Sequence, residues 1–160
     1  MEFKFTEENL KKVNGAIAKY PQKRAALMPV LFIAQEQNGF ISWEVMTEIA
    51  KILEITPEDV LGVVTFYTMY HQQSVGKYHI QVCTNVSCML KGGYEIYVRV
   101  KEKLGIDNMQ VTQDKLFSLE EVECMGSCGT APMIAVNEDY FENLTNEKTE
   151  QIIESLKNKN

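Results

Sequence analysis

Apolar residues recur every three or four positions through about the first 70 residues. Near residue 72 that rhythm gives way to short runs in which apolar and polar residues alternate. Thr6 stands where an N-cap is expected, ahead of Leu10, Val13 and Ile17 at helical spacing, and Pro21 closes the segment. A second helix is predicted over 22–37, with Leu27, Leu31 and Ala34 on one face and Gly39 just beyond; Pro29 within it predicts a kink or a reset start. Ser42 caps a third helix, whose apolar face takes Val45 or Met46, Ile49, and Ile52 or Leu53. Thr56-Pro57-Glu58-Asp59 joins a cap, a first-position proline and first-turn acids. The stretch it opens, VLGVVTFYTMY, is apolar enough to be expected largely buried. Four short helices in this length make a small bundle.

The second half opens on KYHIQVC, where Tyr78, Ile80 and Val82 alternate with His79, Gln81 and Cys83, the pattern of a strand with one buried face. Residues 93–104 fit either period. Their length, the KEKLG ending and the Glu95–Arg99 spacing favour a helix stopping at Gly105. LFSLEEVEC reads as a strand leading into Cys124, preceded across a turn at Asp114 by a shorter strand around Val111. Met133 to Val136 reads as another strand, turning at Asn137-Glu138-Asp139 onto Tyr140-Phe141. Thr145 caps a final helix with Ile152, Ile153 and Leu156 inward. That order fits a small α+β sandwich of the thioredoxin kind. The expected organisation is a helical region over 1–74 and an α+β domain over 75–160.

The bulk numbers narrow the partners. With 45% hydrophobic and 24% charged residues in 160, the chain has a globular composition. A net charge of -6 argues against a nucleic-acid role, which needs a basic face, and only the neighbourhood of Lys23 and Arg24 offers a local one. No stretch approaches the roughly 18 to 20 apolar residues of a membrane span. The charged start, MEFKFTEENLKKV, lacks the apolar core of a signal peptide. The expected location is the cytoplasm, or the cytoplasmic side of a larger assembly. Thiols stay reduced there, so the four cysteines read as ligands or redox groups rather than disulfides.

Those cysteines form two pairs, C-x4-C at Cys83 and Cys88 and C-x3-C at Cys124 and Cys128, separated by 35 residues. Each pair follows a predicted strand, where a loop can aim two thiolates and several backbone N–H groups at one centre. An iron–sulfur cluster uses both, since its sulfides accept hydrogen bonds and amide dipoles ease its negative charge. Asn85, Ser87, Gly126, Ser127, Gly129 and Thr130 are small or polar enough to wrap closely, and neither loop contains an acid. Four thiolates, one pair per iron, favour a [2Fe–2S] cluster. Zinc, a [4Fe–4S] cluster, disulfides and unligated thiols remain alternatives on spacing alone. A catalytic C-x-x-C is absent.

VCTNVSCMLKGG and VECMGSCGTAPMIAVN, with LMPVLFIAQEQNGFIS and ITPEDVLGVVTFYTMY before them, resemble the thioredoxin-like [2Fe–2S] subunit of NADH:quinone oxidoreductase, respiratory complex I. The small subunits of NAD-linked hydrogenases and formate dehydrogenases belong to the same family. The likeness runs from about Lys23 to the C-terminus. It implies an α+β fold, with a small N-terminal helical bundle followed by a thioredoxin-like [2Fe–2S] ferredoxin domain, and Cys83, Cys88, Cys124 and Cys128 as ligands of one [2Fe–2S] cluster. It further implies an electron-transfer subunit that docks on an FMN-containing, NADH-oxidising flavoprotein, with the FMN and NAD sites on that partner. The chain has no G-x-G-x-x-G fingerprint of its own. A stand-alone metal-stabilised scaffold or redox sensor is the competing function.

Other features have plainer readings. Phe66, Tyr67 and Tyr70 are expected in the core or in packing between domains, with the flavoprotein interface, joined by Met69, as the alternative. His71 and His79 are expected to be surface polar residues, and Trp43 to open a helix and pack against a neighbour. Pro132 precedes a strand where thioredoxin folds often place a cis proline. Glu120, Glu121 and Glu123 read as a solvated strand face, or as charge that makes a nearby cluster harder to reduce.

Overall fold

The computed structural model describes residues 2–159, which divide into two compact units, one ending at Ser74 and the other beginning at Val75. In the first unit, α1 (Glu7–Ile17) starts where Thr6 accepts the Asn9 N–H at 3.2 Å. The helix expected over 22–37 is reset: Lys23–Ala26 forms a 3-10 turn, and α2 (Leu27–Asn38) begins after it. Pro29 thereby falls in the first turn of α2, where a missing N–H costs no intrahelical bond. Gly39 ends α2 in the left-handed region, at φ 84°.

Ser42 caps α3 (Trp43–Leu53), and Thr56 with Asp59 completes a capping box on α4 (Pro57–Phe66). The core gathers Val13, Leu31, Ile49, Leu53, Val60 and Val64, among others. Both Val45 and Met46 are buried, and Leu53 rather than Ile52 is the deeper of its pair.

One expectation for this unit is corrected. VLGVVTFYTMY is amphipathic rather than largely buried: Val60, Val64 and Tyr70 are inside, while Phe66 is 75% exposed and Met69 44%. Val60 and Val64 share one face of α4, and the helical period turns Gly62, Thr65 and Phe66 outward. Trp43 opens α3 but is 51% exposed. It lies roughly a quarter-turn from the centre of the face carrying Val45, Met46, Ile49, Ala50 and Leu53.

The second unit holds a five-stranded sheet in the order β2-β3-β1-β4-β5. Its strands are β1 (Tyr78–Cys83), β2 (Gln110–Val111), β3 (Phe117–Val122), β4 (Ile134–Val136) and β5 (Asp139–Phe141). Its helices are α5 (Val86–Leu90), α6 (Gly93–Leu104) and α7 (Asn146–Asn158). Among the described residues only β1 and β3 pair in parallel; the other pairings are antiparallel. The doubtful segment 93–104 is a helix, burying Ile96 and Val100 and ending at a left-handed Gly105. Thr145 caps α7 as expected, through Lys148 N–H.

β1 is the central strand, and its pattern is not one-sided. His79 and Cys83 are buried along with Ile80 and Val82, and His79 is only 6% exposed, not a surface residue. Its ring is met by Ser118 and Glu120 of β3, which make a polar group tolerable there. His71 is half-buried, its N–H donating to Gln35 Oε1. β3 stops at Val122, two residues short of Cys124, because Val122 is opposite Cys83, the last residue of β1. The turn after β4 is tighter than expected, with Asp139 already in β5. Gly76 crosses the backbone of β3 so closely that a Cβ there would lie 2.3 Å from the Phe117 carbonyl carbon.

Candidate metal centre

Register alone explains how pairs 35 residues apart in sequence come to one place. β1 and β3 run in parallel and end together at Cys83 and Val122. β4, antiparallel to β1, begins at that same end, and Cys83 N–H donates to the Met133 carbonyl at 3.3 Å. The segments bearing Cys88, Cys124 and Cys128 all leave from this end of the sheet.

The first pair is buried. Cys83 is 3% and Cys88 2% exposed, packed with Ala131 and Met133. Cys88 lies on α5, a five-residue helix that sequence periodicity missed; Asn85 caps it, its side chain accepting the Val86 N–H at 2.7 Å. Just behind, α6 begins against the pair, since a Cβ on Gly93 would fall 2.8 Å from the Cys83 carbonyl oxygen. The second pair is exposed. Gly126 turns its loop through φ 83°, a value that suits glycine, and Cys128 opens the 3-10 turn Cys128–Thr130.

The loops touch. Cys83 Sγ lies 3.3 Å from the Glu123 carbonyl, beside Cys124. Burial, then the neighbouring Cys83 and more distantly Cys128, push the Cys88 thiol up to about 11, while the Met133 backbone N–H facing it pulls the other way. Cys88 is therefore within electrostatic reach of both Cys83 and Cys128. Among the described residues no three Cys, His, Asp or Glu side chains are gathered closely enough to hold one metal ion. What the sheet end presents is a buried pair of thiols and an exposed pair on adjoining loops, with no His, Asp or Glu gathered onto either pair among the described residues. Such an all-sulfur set suits iron–sulfur or zinc chemistry, and one pair per iron suits a two-iron cluster.

The acids before Cys124 are not a simple solvated face. Glu120 accepts from Gln81 Nε2 at 2.9 Å and faces His79 Nε2 at 2.9 Å, and Glu121 accepts from the Thr84 hydroxyl at 2.8 Å. Parallel pairing sets Glu120 beside His79 and Gln81 of β1, and Glu121 beside Thr84 just past its end. Glu123 is exposed. The Ala131–Pro132 peptide is cis. In the first unit Tyr70 is in the core, Tyr67 half-buried and Phe66 exposed. Lys23 and Arg24 pair with Glu54 and Asp59, which neutralises the one local basic patch.

Two residues near the second pair carried no signal in the sequence. The Tyr140 hydroxyl donates to the Met125 carbonyl at 3.1 Å, and Glu142 accepts from the Thr130 hydroxyl at 2.6 Å. The Thr130 and Ser127 hydroxyls hold the Glu142 carboxyl below its ordinary value. Only the β4–β5 register, with Tyr140 opposite Ala135, brings them to the loop.

Comparison with known proteins adds a family and relatives. The model of the thioredoxin-like [2Fe–2S] ferredoxin family matches residues 13–157. A subunit of the NADH-quinone oxidoreductase of Rickettsia bellii is 45% identical over 159 residues, covering 98% of this chain and 95% of that protein. NADH dehydrogenase [ubiquinone] flavoprotein 2 of Dictyostelium discoideum, a mitochondrial protein, is 43% identical over 98% of this chain and 64% of its own length. Among solved structures, an NAD+-reducing [NiFe]-hydrogenase in its H2-reduced state matches 79% of this chain with a TM-score of 0.67. The match spans only 22% of that hydrogenase chain at 17% identity, so the likeness is one of fold.

Proposed function

The chain belongs to the thioredoxin-like [2Fe–2S] ferredoxin family, and from that premise we propose that it is the electron-transfer subunit of an NADH:quinone oxidoreductase, holding one [2Fe–2S] cluster on Cys83, Cys88, Cys124 and Cys128. The observation that carries the reading is the arrival of two thiol pairs at one end of the sheet, on loops in contact at Cys83 and Glu123. Relatives that belong to that oxidoreductase by name, at 45% and 43% identity over 98% of the chain, favour this host over a hydrogenase or formate dehydrogenase.

A bound two-iron cluster supplies one-electron exchange. The protein's own part is to hold and shield. Cys83 and Cys88 sit out of water, the Met133 N–H faces a ligand sulfur, and Gly126 lets the second loop fold back. Hydride chemistry, with FMN and NAD, is assigned to a flavoprotein partner on which this chain docks. Phe66 and Met69 leave apolar surface on the first unit suited to such a partner. Among the described residues no helix is long and apolar enough to cross a membrane. A peripheral place on the cytoplasmic side of the host complex completes the proposal.

The test is anaerobic purification of the full chain, with iron and sulfide counted per chain and electron paramagnetic resonance after reduction. Two irons per chain and the signal of a reduced two-iron cluster are expected, lost on serine replacement of any one of the four cysteines. A colourless protein with one zinc would overturn the cluster, and co-purification without any flavoprotein would overturn the docking.

A further inference from the structure

The two halves of the site are held differently. The buried pair is built into β1 and α5, whereas Cys124 and Cys128 are exposed on a stretch that leaves β3 at Val122 and regains regular structure only at Cys128. Downstream, the second loop is fixed through its backbone: Asn143 N–H donates to the Thr130 carbonyl at 2.8 Å and Leu144 N–H to the Pro132 carbonyl at 3.1 Å. Those bonds lie beyond Cys128. Around Cys128 the backbone closes a local turn, Thr130 N–H to the Ser127 carbonyl at 3.1 Å, and ties from β5 and the residue after it are made by side chains. Tyr140 holds the carbonyl of Met125, next to Cys124, and Glu142 takes the Thr130 hydroxyl while the Ser127 hydroxyl, next to Cys128, faces the same carboxylate.

We propose that Tyr140 and Glu142 are positioning residues that hold the exposed half of the cluster site, and that their grip sets how fast the cluster is lost. The inference rests on the reading of the four cysteines as cluster ligands. It commits to a direction of loss: the cluster leaves from the Cys124–Cys128 side, because the buried side has no comparable freedom. Both side chains are exposed, so water competes for their bonds and each tether has a modest effect. Geometry rather than charge is the operative property of Glu142, whose contacts are with hydroxyl groups.

The test follows bleaching of the visible absorbance of the anaerobically purified, cluster-loaded full chain in excess EDTA. Tyr140→Phe and Glu142→Ala are each expected to bleach about three- to ten-fold faster, the rate equivalent of one lost hydrogen bond. Glu142→Gln, which still offers an amide oxygen to Thr130, is expected within about two-fold of the unsubstituted chain. The melting temperature of each variant after removal of the cluster is expected unchanged. Variants that bleach at the unsubstituted rate overturn the inference and leave the cluster reading standing. Glu142→Gln bleaching as fast as Glu142→Ala overturns it in favour of charge, and variants that melt lower without the cluster overturn it in favour of a fold-wide role. An unsubstituted chain that binds no iron overturns the inference together with the reading beneath it.

Discussion

His79 Nε2 lies 2.9 Å from a carboxylate oxygen of Glu120, across the parallel pairing of β1 and β3. Ser118 Oγ accepts the Gly76 N–H at 2.9 Å and is 2.8 Å from His79 Nδ1. A carboxylate can only accept, so Nε2 carries the hydrogen shared with Glu120. Gln81 donates to the same carboxylate oxygen. Removing one member strands buried polar atoms, so Glu120→Ala is expected to cost about 1–3 kcal/mol in urea unfolding. His79→Ala and Glu120→Ala combined should be non-additive by about 0.5–3 kcal/mol, and strict additivity would show that the contact carries no energy.

Glycines of opposite character make a second test. At Gly76 a Cβ would meet the backbone of Phe117 and Ser118 at 2.3 to 2.7 Å, and main chain cannot rotate aside. Gly76→Ala is expected to destabilise by about 1–3 kcal/mol, as overpacking does. Gly15, inside α1, has nothing within 4 Å of the same atom. Gly15→Ala should therefore stabilise by about 1 kcal/mol through helix propensity. Thermal melts of the two variants moving the same way would contradict the argument.

This contrast between local and non-local causes also separates what was legible in the chain from what was not. Caps at Thr6, Ser42, Thr56 and Thr145, and the stop at Gly105, were readable because each is a bond between residues three or four apart or a single backbone state. α5 was hidden because Val86, Met89 and Leu90 are exposed and only Cys88 is buried, which leaves no amphipathic period. The second buried face of β1 was hidden because it depends on Ser118 and Glu120, about 40 residues away. The thiol pairs were visible as candidates. Their burial asymmetry, and the hold of Tyr140 and Glu142 on the exposed pair, follow from strand register, which no local signal carries.

Acid should loosen the helical caps in a defined direction. The Thr56 backbone N–H, then its hydroxyl, and more weakly Arg24 hold the Asp59 carboxyl below its ordinary value. The Ser42 hydroxyl lowers Glu44 and the Thr145 hydroxyl lowers Glu147 in the same way. For a group lowered in the folded state, the stability it contributes is full above its unfolded pKa, near 4, and is lost as pH falls through the folded value. The urea midpoint is accordingly expected to fall from about pH 4.5 downward. Asp59→Asn should flatten part of that slope while keeping a side-chain acceptor for Thr56 N–H, and an unchanged slope would remove the capping box as a cause.

The thiols should separate into two classes in the cluster-free chain. Cys124 and Cys128 are exposed, whereas Cys83 and Cys88 are nearly inaccessible. Only thiolate alkylates, and burial, reinforced by Cys83, pushes Cys88 up to about 11, so at pH 8 it is both covered and protonated. Iodoacetamide at pH 8 is expected to label two sites quickly, with peptide mapping placing both in the second loop. The same shift has a stability consequence of known sign. Between roughly pH 9 and 11 the unfolded chain releases a proton that folded Cys88 retains, so the folded state should weaken as pH rises through that window. Cys88→Ser removes the ionisable group and should weaken less over the same range. Four sites alkylating at one rate, or equal alkaline losses in the two chains, would place Cys88 outside the protected interior that the proposed site requires.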